Sequence, residues 1–306
     1  MRKIWLVGAF AALALVACER TEVVDDSERC LTAEEAEAKI EACTAAAQNE
    51  TLTPQQRSVA FSTRGDAQEE SGDVTAALRD YGSAIDLDGE NPAALVGRAR
   101  ILLASGQLDA AEPAARRAIE LNQAGEAYQI LGQIQVRRGE FSESITSFNS
   151  ALSHEPRSAL ALAGRARAKQ RLNDLEGAAN DYDQAIRADG NLAEARAGRC
   201  WLDLNEKREF DRARQDADAA VAADPRNVEG QLCRGVLQLR DGQWADAKTS
   251  FEAALAVESG NPIALFGRGV ARRRSGDNSG TEDMNQARDF DGHIGEQFDD
   301  FGVRTY

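Results

Sequence analysis

Hydrophobic and polar positions follow three different patterns along this chain. Arg2 and Lys3 precede an unbroken apolar stretch from Ile4 to Ala17, and a polar, acidic segment runs from Thr21 to Arg29. From Ala33 onward, small and apolar residues recur at helical spacing between short turns, several of which carry Gly. The first stretch is too short for a comfortable membrane span and has the charged start and apolar middle of a secretory leader. The remainder predicts helices packed closely through small side chains.

Aligning the chain with itself on the turn Gly and the Ala that follows gives a period near 34 residues. Seven units in register cover residues 58–295. The first contains Arg64-Gly65, Gly72, Ala77, Tyr81 and Ala84; the third has Leu131-Gly132, Gly139, Ser144, Phe148, Ala151 and Pro156. The sixth repeats the series as Arg234-Gly235, Gly242, Ala247, Phe251 and Ala254. The second unit is one residue short and the fifth has one extra residue in its turn. Pro113, inside the second helix of the second unit, should kink that helix or cost it a backbone bond.

Before the array, residues 18–29 read as an acidic tether and residues 30–57 as an N-terminal capping helix. Thr32-Ala33-Glu34-Glu35 has the spacing of a capping box and opens a helix running to Ala47; Thr53-Pro54-Gln55-Gln56 then starts the first repeat. The C-terminal residues 296–306, with Phe298, Phe301, Val303 and Tyr306, form a short capping helix or a docking tail. Capping is favoured, because the exposed face of a last repeat is a solubility problem.

The aromatic, small, Ala, aromatic, Ala series over 34 residues resembles the tetratricopeptide repeat (TPR). The resemblance implies an all-α fold, a right-handed superhelical solenoid of antiparallel helix pairs. Departing from the family pattern, Arg stands before the first small residue in six units, at Arg64, Arg98, Arg165, Arg199, Arg234 and Arg268. An Asp follows sixteen residues on at Asp80 and Asp181, and seventeen on at Asp216. Facing positions on antiparallel helices predict Arg–Asp pairs within a repeat, weak unless shielded from water.

Family geometry also places certain first-helix positions on a concave, partner-binding face. Carried onto this chain, these are Arg100 and Leu103, Gln133 and Arg137, Arg167 and Arg171, Trp201 and Leu204, Val236 and Arg240, and Phe266 and Arg273 in successive units. The first unit instead offers Asp66, Glu69 and Glu70. The groove so read is acidic at its start and Arg-plus-apolar beyond. It suits the carboxylates and alternate apolar side chains of a peptide, unless these residues pack on neighbouring helices.

Leu15-Val16-Ala17-Cys18 resembles the lipobox of bacterial lipoproteins. That implies a diacylglyceryl group on Cys18 and cleavage of residues 1–17, with Glu19 favouring the outer membrane over inner-membrane retention. Four cysteines remain for an oxidising compartment: Cys30, Cys43, Cys200 and Cys233. Secreted TPR relatives carry an N-terminal Cys pair resembling Cys30 and Cys43. A helix starting at Ala33 would hold that pair too far apart, so capping box and bridge compete. Cys200 and Cys233 are equally readable as buried hydrophobes.

The balance is acidic, 51 Asp+Glu against 36 Lys+Arg, which disfavours nucleic acid and favours solubility. The two histidines, His154 and His293, lack partners at metal-ligand spacing, and no nucleophile motif or phosphate loop occurs. The reading is a non-catalytic periplasmic scaffold with protein partners, held at the membrane by its lipid, without metal or cofactor. A pilotin-like chaperone for a secretin or other envelope machinery is the alternative.

Overall fold

A computed structural model describes residues 26–122 and 124–304; the leader and Cys18 lie outside the described residues. Among the described residues every regular element is a helix, and the fold is an all-α helical repeat array. None of these helices is long and apolar enough to cross a membrane. The chain divides after Asp88 into two compact units.

The first unit holds α1 (Asp26–Thr32), α2 (Ala36–Gln48), α3 (Pro54–Glu70) and α4 (Val74–Leu87). Two expectations change here. The last part of the acidic tether is helical, as α1. Thr32 ends that helix and donates its hydroxyl to the Glu28 carbonyl, so it caps nothing downstream. The next helix starts three residues later than the capping box implied, and its N-cap Glu35 makes no side-chain cap bond. That later start brings Cys43 within reach of Cys30, and the two are bridged with Cα atoms 4.4 Å apart. The bridge is buried with Ala42, Ala46, Ala47 and Ala60. A reciprocal capping box does form at α3, where Gln56 N–H donates to Thr53 Oγ1 and Thr53 N–H to Gln56 Oε1, with Pro54 opening the helix.

The second unit repeats one hairpin: α5 (Pro92–Ala104) with α6 (Leu108–Glu120), α7 (Ala124–Arg138) with α8 (Phe141–His154), and α9 (Ala159–Arg171) with α10 (Leu175–Ala188). There follow α11 (Ala193–Asn205) with α12 (Phe210–Ala223), α13 (Val228–Arg240) with α14 (Trp244–Val257), α15 (Pro262–Arg274) with α16 (Gly280–Phe290), and α17 (Ile294–Asp300). Side-chain oxygens of Asn91, Ser158, Asn227 and Asn261 cap the first helices of their pairs. Each first helix ends in a left-handed residue that turns the chain back. Glycine supplies it at Gly106, Gly139, Gly242 and Gly276; the fourth repeat, lacking that Gly, uses Asn173 instead. The extra residue of the fifth repeat is absorbed by positive φ at both Lys207 and Glu209. The helix containing Pro113 continues through it, with the proline on the exposed side where the Asp109 carbonyl can turn to water.

The Ala positions of the second helices, among them Ala111, Ala178, Ala213 and Ala247, are wholly buried where the paired helices meet. First helices also pack on the first helices of neighbouring pairs, α5 on α7 and onward to α13 on α15, so one side of this unit is a wall of first helices.

The recurrent arginines are engaged. Arg64 forks onto Asp80, Arg165 onto Asp181 and Arg199 onto Asp216, each through Nε and Nη2 at 2.6–2.8 Å. The carboxylates are nearly dry: Asp181 and Asp216 keep 2% and 1% of their side-chain surface. Burial counts against the Arg199 charge, but its bonds to Asp216 and Asp183 outweigh that and raise it above an ordinary guanidinium. The pairing also extends beyond one repeat. Arg165 Nη1 donates to Asn149 and Arg199 Nη1 to Asp183, on the second helix of the preceding pair. Arg268 finds Asp283 fifteen residues on, whereas Arg234 meets Ser250 and Arg98 is exposed.

Candidate functional site

Along the wall of first helices, α7, α9 and α11 leave a cleft of about 190 Å³. Its sides carry Gln133, Val136 and Arg137 from α7, Leu160, Ala163, Gly164 and Arg167 from α9, and Glu194 from α11; the rings of Phe148 and Tyr182 form the floor. The floor is built by small residues. Phe148, fully buried, lies against the backbones of Gly132 and Gly164, where an added Cβ would overlap its ring. The ring can therefore reach the cleft from the second-helix layer. Leu160 is 42% exposed at the rim, an apolar side chain with a free face. Arg137 is held by donation from Nη1 to the Leu103 carbonyl, 2.5 Å away. Tyr182 donates to Gln170 Oε1 at 3.2 Å, and its burial pushes the phenol well above the usual tyrosine range.

The cleft thus gathers Gln133, Arg137 and Arg167 from the groove positions expected from sequence, but its electrostatics are mixed rather than cationic. Arg167 pairs with Glu229 of α13, and Arg100 with Glu126 of α7 at 3.0 Å. Glu194 lines the cleft itself. These three glutamates escaped the sequence reading, although they occupy one register, the second position of their repeats. A side chain there can reach across to an arginine of a preceding first helix.

Other positions lie elsewhere. Leu103, Leu204, Val236 and Phe266 are buried, the last three completely, so they are core and not accessible lining. Stacking of adjacent first helices consumes their apolar surface, and only the polar or longer side chains beside them emerge. Arg171 stacks over the Phe141 ring at 5.0 Å, and Arg273 is exposed beyond the cleft. Trp201, Phe266 and Arg240 lie beneath the C-terminal segment: Trp201 meets the Phe301 ring at 5.6 Å, Phe266 meets Phe298 at 4.9 Å, and Arg240 donates to the Phe301 carbonyl at 3.2 Å. In the first unit, the Tyr81 hydroxyl lies 2.6 Å from Asp66 and 3.1 Å from Glu69, drawing the acidic positions onto its own helix pair. Cys200 and Cys233, left open by the sequence, are bridged between α11 and α13.

Two tetratricopeptide-repeat family models match the chain, one over residues 69–134 and the other over 131–193, 202–247 and 234–280. No curated protein matches it by sequence. Among solved structures it is similar to the Cut9–Hcn1 hetero-tetramer of the APC/C, with TM-score 0.63 and 15% identity over 76% of this chain; it spans only 48% of that chain's length. A tetratricopeptide repeat protein from Parabacteroides merdae gives TM-score 0.53 and 17% identity over 80% of this chain and 98% of that one. Pseudomonas aeruginosa pilF gives TM-score 0.55 and 14% identity over 69% and 96%. At these identities the likeness is one of fold.

Proposed function

Because this chain belongs to the tetratricopeptide-repeat family, whose fold is a scaffold for protein–protein interaction, we propose that it is a non-catalytic adaptor that holds a partner's peptide segment in the cleft of α7, α9 and α11. The observation that carries this reading is the cleft's construction. Gln133 and Arg137 offer donors for peptide carbonyls or a carboxylate, Glu194 offers an acceptor, and Leu160 with Phe148 forms an apolar seat between them. The Arg167–Glu229 pair, with both side chains about two-fifths exposed, can exchange partners at small cost when a charged ligand arrives.

The adaptor acts from the periplasmic face of a membrane, tethered by lipid on Cys18. The lipobox-like Leu15–Cys18 behind its apolar leader supports this, and two disulfides suit an oxidising compartment.

Two measurements test the reading. A photocrosslinker at Leu160 in the intact, exported protein should capture partner protein more strongly than one at exposed Glu176 on α10, and Arg137→Glu should abolish the difference. Equal capture at both sites would remove the cleft assignment. Metabolic labelling with a fatty acid should disappear in Cys18→Ala; labelling that persists would remove the tether.

A further inference from the structure

The C-terminal segment does more than cover the last helix pair. Short α17 packs against α15 and α16, as an end cap would. Beyond it the chain reverses. Gly302, at φ +79°, follows the helix, with its N–H donating to the Asp299 carbonyl and Val303 N–H to the Phe298 carbonyl. This is the Gly-dependent termination that lets a chain leave a helix sideways. The reversal returns the Arg304 carbonyl to Arg274 of α15, while Phe301, just before the turn, reaches past Arg240 of α13 to α11. There Phe301 meets Trp201, one hundred residues earlier in sequence. A cap for the last pair has no need of that reach.

The contacts have the form of ligand recognition. Phe298, Phe301 and Val303 are buried against Phe266, Trp201 and their neighbours. The backbone is held separately: Arg240 donates to the Phe301 carbonyl and Arg274 to the Arg304 carbonyl, 2.9 Å away. Arg240 is preset for this by lying 3.6 Å over the Phe210 ring, and Trp201 by donating its indole N–H to the Glu229 carbonyl. Arginines reading carbonyls do not specify sequence; the two aromatic seats and one aliphatic seat do. The occupant is a helix of only seven residues, too short to persist undocked. Lys207 reaches its Asp300 at 3.7 Å, an exposed and weak contact.

The geometry points to a second interaction surface on α11, α13 and α15, whose resident in this structure is the chain's own residues 294–304. Its partner is a protein segment of the same chemistry, with two aromatic side chains three residues apart and an aliphatic one two further on, which displaces the resident. Such displacement requires the tail to open without the array unfolding, as weakly held elements do. This surface lies beside the α7–α9–α11 cleft and does not depend on it: crosslinking at Leu160 reports on the cleft, and tail exchange reports on this surface.

Hydrogen exchange on the full-length wild-type protein tests the opening. The Phe301, Gly302 and Val303 amides should exchange at least about a hundredfold faster than protected amides of α13. Exchange of both sets in one global step would make the tail part of the core and overturn the proposal, whatever any variant does. Recognition is tested with a fluorescent peptide of residues 294–306 added to full-length chains. It should bind Phe301→Ala about tenfold or more tighter than wild type, because that variant's own tail competes less. Adding Trp201→Ala should abolish the binding. Should Phe301→Ala fail to fold, Gly302→Ala serves, since a side chain in the left-handed region loosens the reversal by about tenfold. A folded, tail-loosened chain that binds no peptide would overturn the recognition claim. A concentration-dependent wild-type dimer with exchanged tails would make a second copy the occupant and overturn the partner assignment.

Discussion

Asp181 offers the sharpest test of how the repeats are joined. Its carboxylate, 2% exposed, accepts from Arg165 Nε and Nη2 at 2.7 Å and from Lys169 Nζ at 2.8 Å. Asp181→Ala leaves two cations facing a small void. Breaking a fully buried pair costs about 3–5 kcal/mol. Arg165 and Lys169 retain 18% and 21% of their side-chain exposure, and Arg165 keeps Asn149. Partial hydration therefore brings the expected loss to about 2–3 kcal/mol. Arg165→Met combined with Asp181→Leu should cost less than Asp181→Ala alone, because no charge is stranded. Repeat arrays unfold in parts, so a single melting curve is a blunt assay. Urea denaturation should be paired with exchange of the α9 and α10 amides, where the loss concentrates. A change below about 0.5 kcal/mol for Asp181→Ala would mean that the pair behaves like a solvated surface contact, and the shielding argument would fail.

Other consequences are smaller or more local. Replacing Cys200 and Cys233 by Ala should cost about 3–4 kcal/mol by chain entropy for a loop of their 33-residue separation, and reductant should lower the melting temperature of wild type but not of a variant lacking all four bridged cysteines. Gly164→Ala pushes a Cβ into the Phe148 ring, which Gly132 stops from retreating; a net loss of about 1–3 kcal/mol and weaker crosslinking from Leu160 are expected, read by thermal melt and capture yield. Tyr182 is held neutral by burial, with its folded value above that of an exposed phenol. Its contribution is therefore fully present below about pH 10 and lost as pH rises beyond, once the unfolded state ionises more readily. Tyr182→Phe should remove that part of the alkaline loss in denaturation curves collected across the range.

Much of the local architecture was legible along the chain. The glycine and alanine positions at 34-residue spacing imposed close helix pairs because only small residues fit between backbones. The sixteen-residue step from Arg64 to Asp80 and from Arg165 to Asp181 led to forked pairs because it spans one hairpin. These are short-range relations, set by helical rise and turn length. Where two local signals competed, sequence could not choose: the Thr32 capping box lost to a later helix start that brought Cys30 and Cys43 together.

The candidate sites depended on longer-range relations. Which groove positions face outward follows from how consecutive first helices stack. That stacking buried Leu204, Val236 and Phe266 but left Leu160 open. It also aligned Arg167 with Glu229, two repeats away. The return of Phe301 to Trp201 had no local signature beyond a glycine and a few apolar residues. Sequence determined the repeated unit, since its geometry is written in residues one hairpin apart. Only the tertiary structure decided which faces stay free, because that depends on what each surface meets after the units stack and the chain end folds back.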